Sequence, residues 1–204
     1  MKSLFLDTSN SNAVVSIIKD NTILSYVEFQ NSKLLSENIF ILIDKCFKES
    51  NILPNDIDTI FVVNGPGSFT GVRIGVTIAK TMAWTLNKKV IPVSSLECFA
   101  STIDNGNVVS LIDARRNYVF AGIYDSDLNV IQTDQYIKLD ELKLGNYKIV
   151  TLDDFDNIVT IKPKYNILKI IDKHKDDEGI LPHKLVPNYL KLTEAEEKRI
   201  KNDC

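Results

Sequence analysis

The segment Asn64-Gly65-Pro66-Gly67-Ser68-Phe69-Thr70-Gly71-Val72-Arg73-Ile74-Gly75 places four of the chain's eight glycines within eleven positions. It follows an apolar run, Thr59 to Val63, and leads into a stretch with helical periodicity. Backbone N–H groups and a helix dipole at such a junction can cradle an anion. Spacing tests the known phosphate loops. A Walker A loop needs a Lys after its second glycine, and none of these glycines has one. The dinucleotide fingerprint would need a glycine at Thr70 and an acid at the end of the next strand, where Val93 stands. A nucleophile elbow around Ser68 would need glycines at Pro66 and Thr70. Two readings stay open: an anion cradle, or a tight turn and helix start capped by Ser68 or Thr70.

Other groups offer less. Asp7 ends the first strand, and the turn Thr8-Ser9-Asn10 can donate hydrogen bonds to it. Asp113 and Arg115 flank a hairpin turn and suit an ion pair better than an acid/base pair. The two histidines, His174 and His183, stand nine apart in a charged region and are expected at the surface, with no metal bound. Cys46, Cys98 and Cys204 have no neighbouring His and are too few and too scattered for a disulfide framework, which fits a reduced cytoplasm.

The elements that must position these groups are legible by pattern. Strands are expected near Leu4–Asp7, Ala13–Ile18, Thr22–Phe29, Thr59–Val63 and Val90–Val93, with helices near Ser32–Glu49 and from the glycine loop to Leu86. Ser94 or Ser95 caps a further helix. Past Asn105 the strand pattern restarts, with Val108–Asp113 and Tyr118–Tyr124 around the turn Ala114–Asn117, then a helix near Tyr165–His174 and a solvated, helical tail near Glu194–Lys201. Two α/β lobes follow: residues 1–98 and a smaller 99–185, with a tail, 186–204. Gly71, Gly75, Ala79 and Ala83 recur every four residues, a stripe of small side chains that lets a neighbouring backbone come close.

Length and charge bound the rest. The chain has 204 residues, 24 basic and 27 acidic, a net −3 that argues against an independent grip on nucleic acid. Its 44% hydrophobic content is enough for a sizeable core, and no apolar run approaches the ~20 residues of a membrane span. The opening Met1-Lys2-Ser3-Leu4-Phe5-Leu6-Asp7 is too short and too early acidic for a signal peptide. On a wheel of the first helix, Leu35, Ile39, Leu42, Ile43 and Cys46 share one arc and face the sheet. Leu34 and Ile41 fall opposite, and Phe40 and Phe47 fall on a flank. A helix apolar beyond its core face needs a second contact.

The glycine segment resembles the Gly-Pro-Gly-Ser-Phe-Thr-Gly-x-Arg-x-Gly motif of the TsaB (YeaZ) family, bacterial proteins required to make N6-threonylcarbamoyladenosine in tRNA. In order along the chain, Leu4-Phe5-Leu6-Asp7-Thr8-Ser9, Val93-Ser94-Ser95-Leu96 and Ile112-Asp113-Ala114-Arg115-Arg116 are similar to further family motifs. Pro187-Asn188-Tyr189-Leu190-Lys191 resembles a closing Pro-x-Tyr-Leu-Arg with Lys for Arg. The chain is short for the family in its second lobe, and Leu35 stands where members often carry a His.

The resemblance implies an α/β fold of the actin/hexokinase/Hsp70-like (ASKHA) class, two ribonuclease-H-like lobes. It implies a non-catalytic partner that binds and activates TsaD, the threonylcarbamoyl transferase, with the ATPase TsaE joining the pair. ATP is then used by the assembled complex, tRNA is reached only through it, and the chain alone can form a homodimer. Asp7, Thr8 and Ser9 become a vestigial nucleotide site, since this fold places a metal-nucleotide contact at the end of strand 1. Leu34, Phe40, Ile41 and Phe47 become the partner interface. The alternatives are an M22-like metallopeptidase, opposed by a first helix without the His-x-x-x-His pair, and an ASKHA-type phosphotransferase, opposed by the incomplete phosphate site.

Overall fold

The computed structural model describes residues 1–30 and 35–191. Leu34 and the expected tail helix, Glu194–Lys201, lie outside the described residues. The first sheet contains β1 (Lys2–Asp7), β2 (Asn12–Lys19), β3 (Thr22–Gln30), β4 (Thr59–Val63) and β5 (Lys89–Val93), in the order β3-β2-β1-β4-β5. The hairpin strands β1, β2 and β3 are antiparallel, while β4 and β5 continue parallel to β1. Central β1 and β4 are apolar on both faces, Leu4-Phe5-Leu6 and Ile60-Phe61-Val62-Val63, because helices cover both sides. Edge strand β3 buries only Ser25 and Val27.

Period-two alternation splits these strands between two cores. Leu4, Leu6, Val15, Ile17, Ile60 and Val62 point to α1 (Leu35–Ser50) and α2 (Phe69–Leu86). Phe5, Val14, Ile18, Phe61 and Val63 point to α3 (Ser95–Ala100) and α4 (Ile167–His174).

The second sheet holds β6 (Val108–Asp113), β7 (Tyr118–Tyr124), β8 (Val130–Lys138) and β9 (Lys148–Val150), in the order β8-β7-β6-β9. Again a hairpin array is extended by one parallel strand. Val108, Tyr124 and Val150 join α3 and α4 in the core between the sheets. Two such ribonuclease-H-like sheets enclosing helices make up the ASKHA fold expected from the sequence. The chain then returns to the first lobe. Ile180 bridges Val90 on edge strand β5, the turn Pro182–Lys184 lies on α2, and the Asn188 N–H donates to the Asn64 carbonyl at 2.7 Å. No helix among the described residues is long and apolar enough to cross a membrane.

Candidate functional site

A cleft of about 1040 Å³ opens between the lobes. The β1–β2 turn (Ser9, Asn10), the glycine loop (Gly67, Ser68) and the β6–β7 hairpin (Asp113, Arg115) line it. Most motifs singled out in the sequence therefore meet at its walls.

The loop is built around the β1–β2 turn. Gly65–Pro66 is a cis peptide. The Ser68 N–H donates to the Ser9 carbonyl at 2.7 Å, and the Ser68 hydroxyl accepts from the Gly71 N–H at 3.2 Å. Ser68, not Thr70, is thus the cap of α2. Two N–H groups that a bound anion would use already have partners. Thr8 donates its hydroxyl proton to the Gly71 carbonyl at 2.7 Å. A Cβ on Gly71 would meet the Thr8 carbonyl oxygen, and one on Gly75 would meet the Thr8 hydroxyl. The small-residue stripe therefore receives Thr8 at its first two positions and packs into the core at Ala79 and Ala83.

Asp7 is fully buried. Its Oδ1 accepts from the Ser9 N–H (2.7 Å) and the Ser9 hydroxyl (2.6 Å), and its Oδ2 from the Tyr165 hydroxyl (3.0 Å) and the Asn10 amide (3.4 Å). Burial pushes its carboxyl up from the usual range, and the Ser9, Tyr165 and Asn10 hydrogen bonds only partly offset this. A metal-bound nucleotide of the kind this fold family holds at strand 1 would need that carboxylate facing the cleft. Here its oxygens are occupied by the protein's own donors, so Asp7 does not fit such a group. Tyr165, which closes the network from 158 residues away, carries no sequence signal for this role.

Asp113 and Arg115 form the expected turn pair. The Arg115 N–H donates to Asp113 Oδ1 at 2.8 Å, and the guanidinium lies 3.3 Å from Oδ2. The Asp113 N–H itself donates to Asp153. His174 departs from expectation. Instead of standing free at the surface, it is partly buried between Glu97 and Asp177, each at 2.7 Å, because α4 ends against α3. Among the described residues, no three His, Cys, Asp or Glu side chains gather to hold a metal ion.

On α1, Leu35, Ile39, Ile43 and Cys46 are buried as expected. Phe40 and Ile41 stand 62% and 64% exposed, while Phe47, expected on the same open flank, is 6% exposed. The correction has a local cause: after α1 the chain folds back, the Ile52 N–H reaching the Phe47 carbonyl, and Ile52 and Met82 pack on the core that contains Phe47. Phe40 has no such cover. It borders a groove of about 410 Å³ between α1 and α2, with Phe69, Arg73 and Ile78 on the other wall. Phe69 and Arg73 also reach the C-terminal motif: the Phe69 and Tyr189 rings stack at 5.3 Å, and Arg73 Nε donates to the Tyr189 hydroxyl at 2.6 Å.

Known proteins resemble this chain in sequence and in fold. The profile of the family described as TsaD, tRNA N6-adenosine threonylcarbamoyltransferase, matches residues 27–166. The tRNA threonylcarbamoyladenosine biosynthesis protein TsaB of Bacillus subtilis is 31% identical over 233 aligned positions, covering 99% of each chain. Its Escherichia coli namesake is 31% identical over 135 positions, 64% of this chain and 58% of that one. The structure of YeaZ from Pseudomonas aeruginosa superposes with a TM-score of 0.80, covering 93% of this chain and 99% of that one at 19% identity, a likeness of fold.

Proposed function

The chain belongs to the TsaB family of tRNA threonylcarbamoyladenosine biosynthesis proteins, and from that premise we propose that it acts as a non-catalytic subunit that docks onto and activates a TsaD-type transferase. The observation that carries this reading is the exposed apolar pair on α1, with Phe40 at the rim of the α1–α2 groove and Ile41 on the adjoining outer face. Isolated apolar side chains at a surface need no explanation, but exposed Phe40 and Phe69 facing each other across an apolar groove mark an interaction site. The self-satisfied Asp7 supports the non-catalytic part, since its oxygens are taken by internal donors. In this reading the assembly works in the cytoplasm, a TsaE-type ATPase joins the pair, the assembled complex consumes the ATP, and tRNA is met through the complex. The same apolar surface supports a homodimer when the partner is absent.

The test pairs a pull-down against the TsaD-type subunit with a thermal melt of each variant. Ile41→Glu should abolish association while melting like wild type, because an unpaired charge at a desolvated contact costs several kcal/mol, about 3–5. Phe47→Glu should instead collapse the melt, since Phe47 is core. Retained binding by Ile41→Glu would refute the docking face, and robust ATP turnover by the purified chain alone would refute the non-catalytic role.

A further inference from the structure

Arg73 sits in the docking groove in a fixed pose. Its guanidinium carbon lies 3.7 Å above the Phe69 ring, and its Nε is held by the Tyr189 hydroxyl at 2.6 Å. Tyr189 is in turn placed by its stack on Phe69 and by the neighbouring Asn188 N–H bound to the Asn64 carbonyl. One face and one N–H of the guanidinium are thus committed, which fixes its plane. Among the described residues no carboxylate forms an ion pair with it. No Asp or Glu occurs between Asp58 and Glu97, or between Glu178 and Lys191, so α2 and the returning segment packed on it carry no acid, while α1 across the groove carries Glu37, Asp44 and Glu49. The two acid-free segments carry Arg73, Lys80, Lys88, Lys89, Lys184 and Lys191 in a chain whose net charge is −3.

We infer that Arg73 is a preset receptor for a carboxylate, and that the TsaD-type partner delivers an Asp or Glu side chain to it from an otherwise apolar helix lying in the α1–α2 groove. This rests on the docking reading above and names the chemistry that registers the partner. A guanidinium already held in one rotamer offers its Nη edge as a fork to a carboxylate with little further loss of freedom. A helix packed against Phe40, Phe69, Ile74 and Ile78 would exclude water from that pair. A second copy is the poorer occupant: a two-fold pairing through α2 would set one acid-free, basic helix against another.

Affinity of the full chain for the TsaD-type subunit, measured by calorimetry beside a melt of each variant, tests this. Arg73→Gln should weaken binding about 10- to 100-fold, the range of a charge-assisted hydrogen-bonded pair, without lowering the melt. Arg73→Lys should recover only part, because an ammonium lacks the fork, and Tyr189→Phe should fall between Arg73→Lys and wild type. Arg73→Glu should be rescued by reversing one carboxylate on the partner's contacting helix to Lys. Wild-type affinity for Arg73→Gln, with Ile41→Glu still unable to bind, would overturn the carboxylate assignment and leave the docking reading standing. Wild-type affinity for both variants would overturn both. Intact protein association with weakened tRNA crosslinking in Arg73→Gln would also overturn it, by giving the guanidinium to a phosphate.

Discussion

Asp7 shows how far single residues could be read. The turn that donates to it was visible in Thr8-Ser9-Asn10, whose spacing suits hydrogen bonds back to a preceding carboxylate. Its second oxygen was not, because Tyr165 is remote in sequence and nothing local marks a tyrosine as a lid. An amide of the same shape keeps one accepting oxygen for the two Ser9 donors but turns its NH2 toward the Tyr165 hydroxyl and the Asn10 amide, which donate to Asp7 Oδ2. Asp7→Asn is expected to lose about 1–2 kcal/mol, because the Asn10 amide then faces another donor, and Asp7→Ala to lose about 2–4 kcal/mol, by stranding the Ser9, Tyr165 and Asn10 donors. Denaturant melts check the stability ranking, and tRNA modification by the reconstituted complex checks the role. An Asp7→Asn chain that folds normally but no longer supports modification would show that the carboxylate acts chemically.

Elements were more legible than their contacts. The strands and α2 followed from alternation and from the glycine-to-helix junction, since period two and period 3.6 are properties of local sequence. The small-residue stripe predicted a close backbone neighbour, and the structure supplies it as the Thr8 turn at Gly71 and Gly75. Gly71→Val should therefore destabilise the chain by at least about 1–3 kcal/mol, because the Thr8 carbonyl is backbone and cannot swing aside. Thr85→Ala, at an exposed position on the same helix, should melt within about 0.5 kcal/mol of wild type. Equal melts for both would mean that Thr8 yields. Helix α1 marks the limit of such reading. Phe40 and Phe47 lie about 20° apart on a wheel, at about 100° per residue. Only the tertiary fold-back at Ile52, which no helical pattern encodes, buries one and leaves the other open.

At the scale of the molecule, the restart of strands past Asn105 foretold a second lobe, but not what ties the lobes together. That depends on residues remote in the chain, and His174 is one of them. It ends α4 with Nε2 on Glu97 of α3 and Nδ1 on Asp177, so one imidazole joins helices packed between the two sheets. The hydrogen bond to Glu97, aided by Glu97's charge and by Asp177, raises the imidazolium pKa above 6.5, against the opposing pull of partial burial. A raised folded-state value means that the protonated bridge stabilises the fold fully below about pH 6.5, the unfolded value. That contribution fades as pH climbs through the folded value. His174→Gln removes it, so the loss of stability relative to wild type should be greatest on the acid side, about 1–3 kcal/mol. The gap should narrow toward pH 8 and beyond. Paired denaturant melts across pH 5.5 to 8.5 make the measurement. A gap that stays constant, or widens with rising pH, would show that His174 acts here as a neutral spacer rather than as a charged tie between the helices.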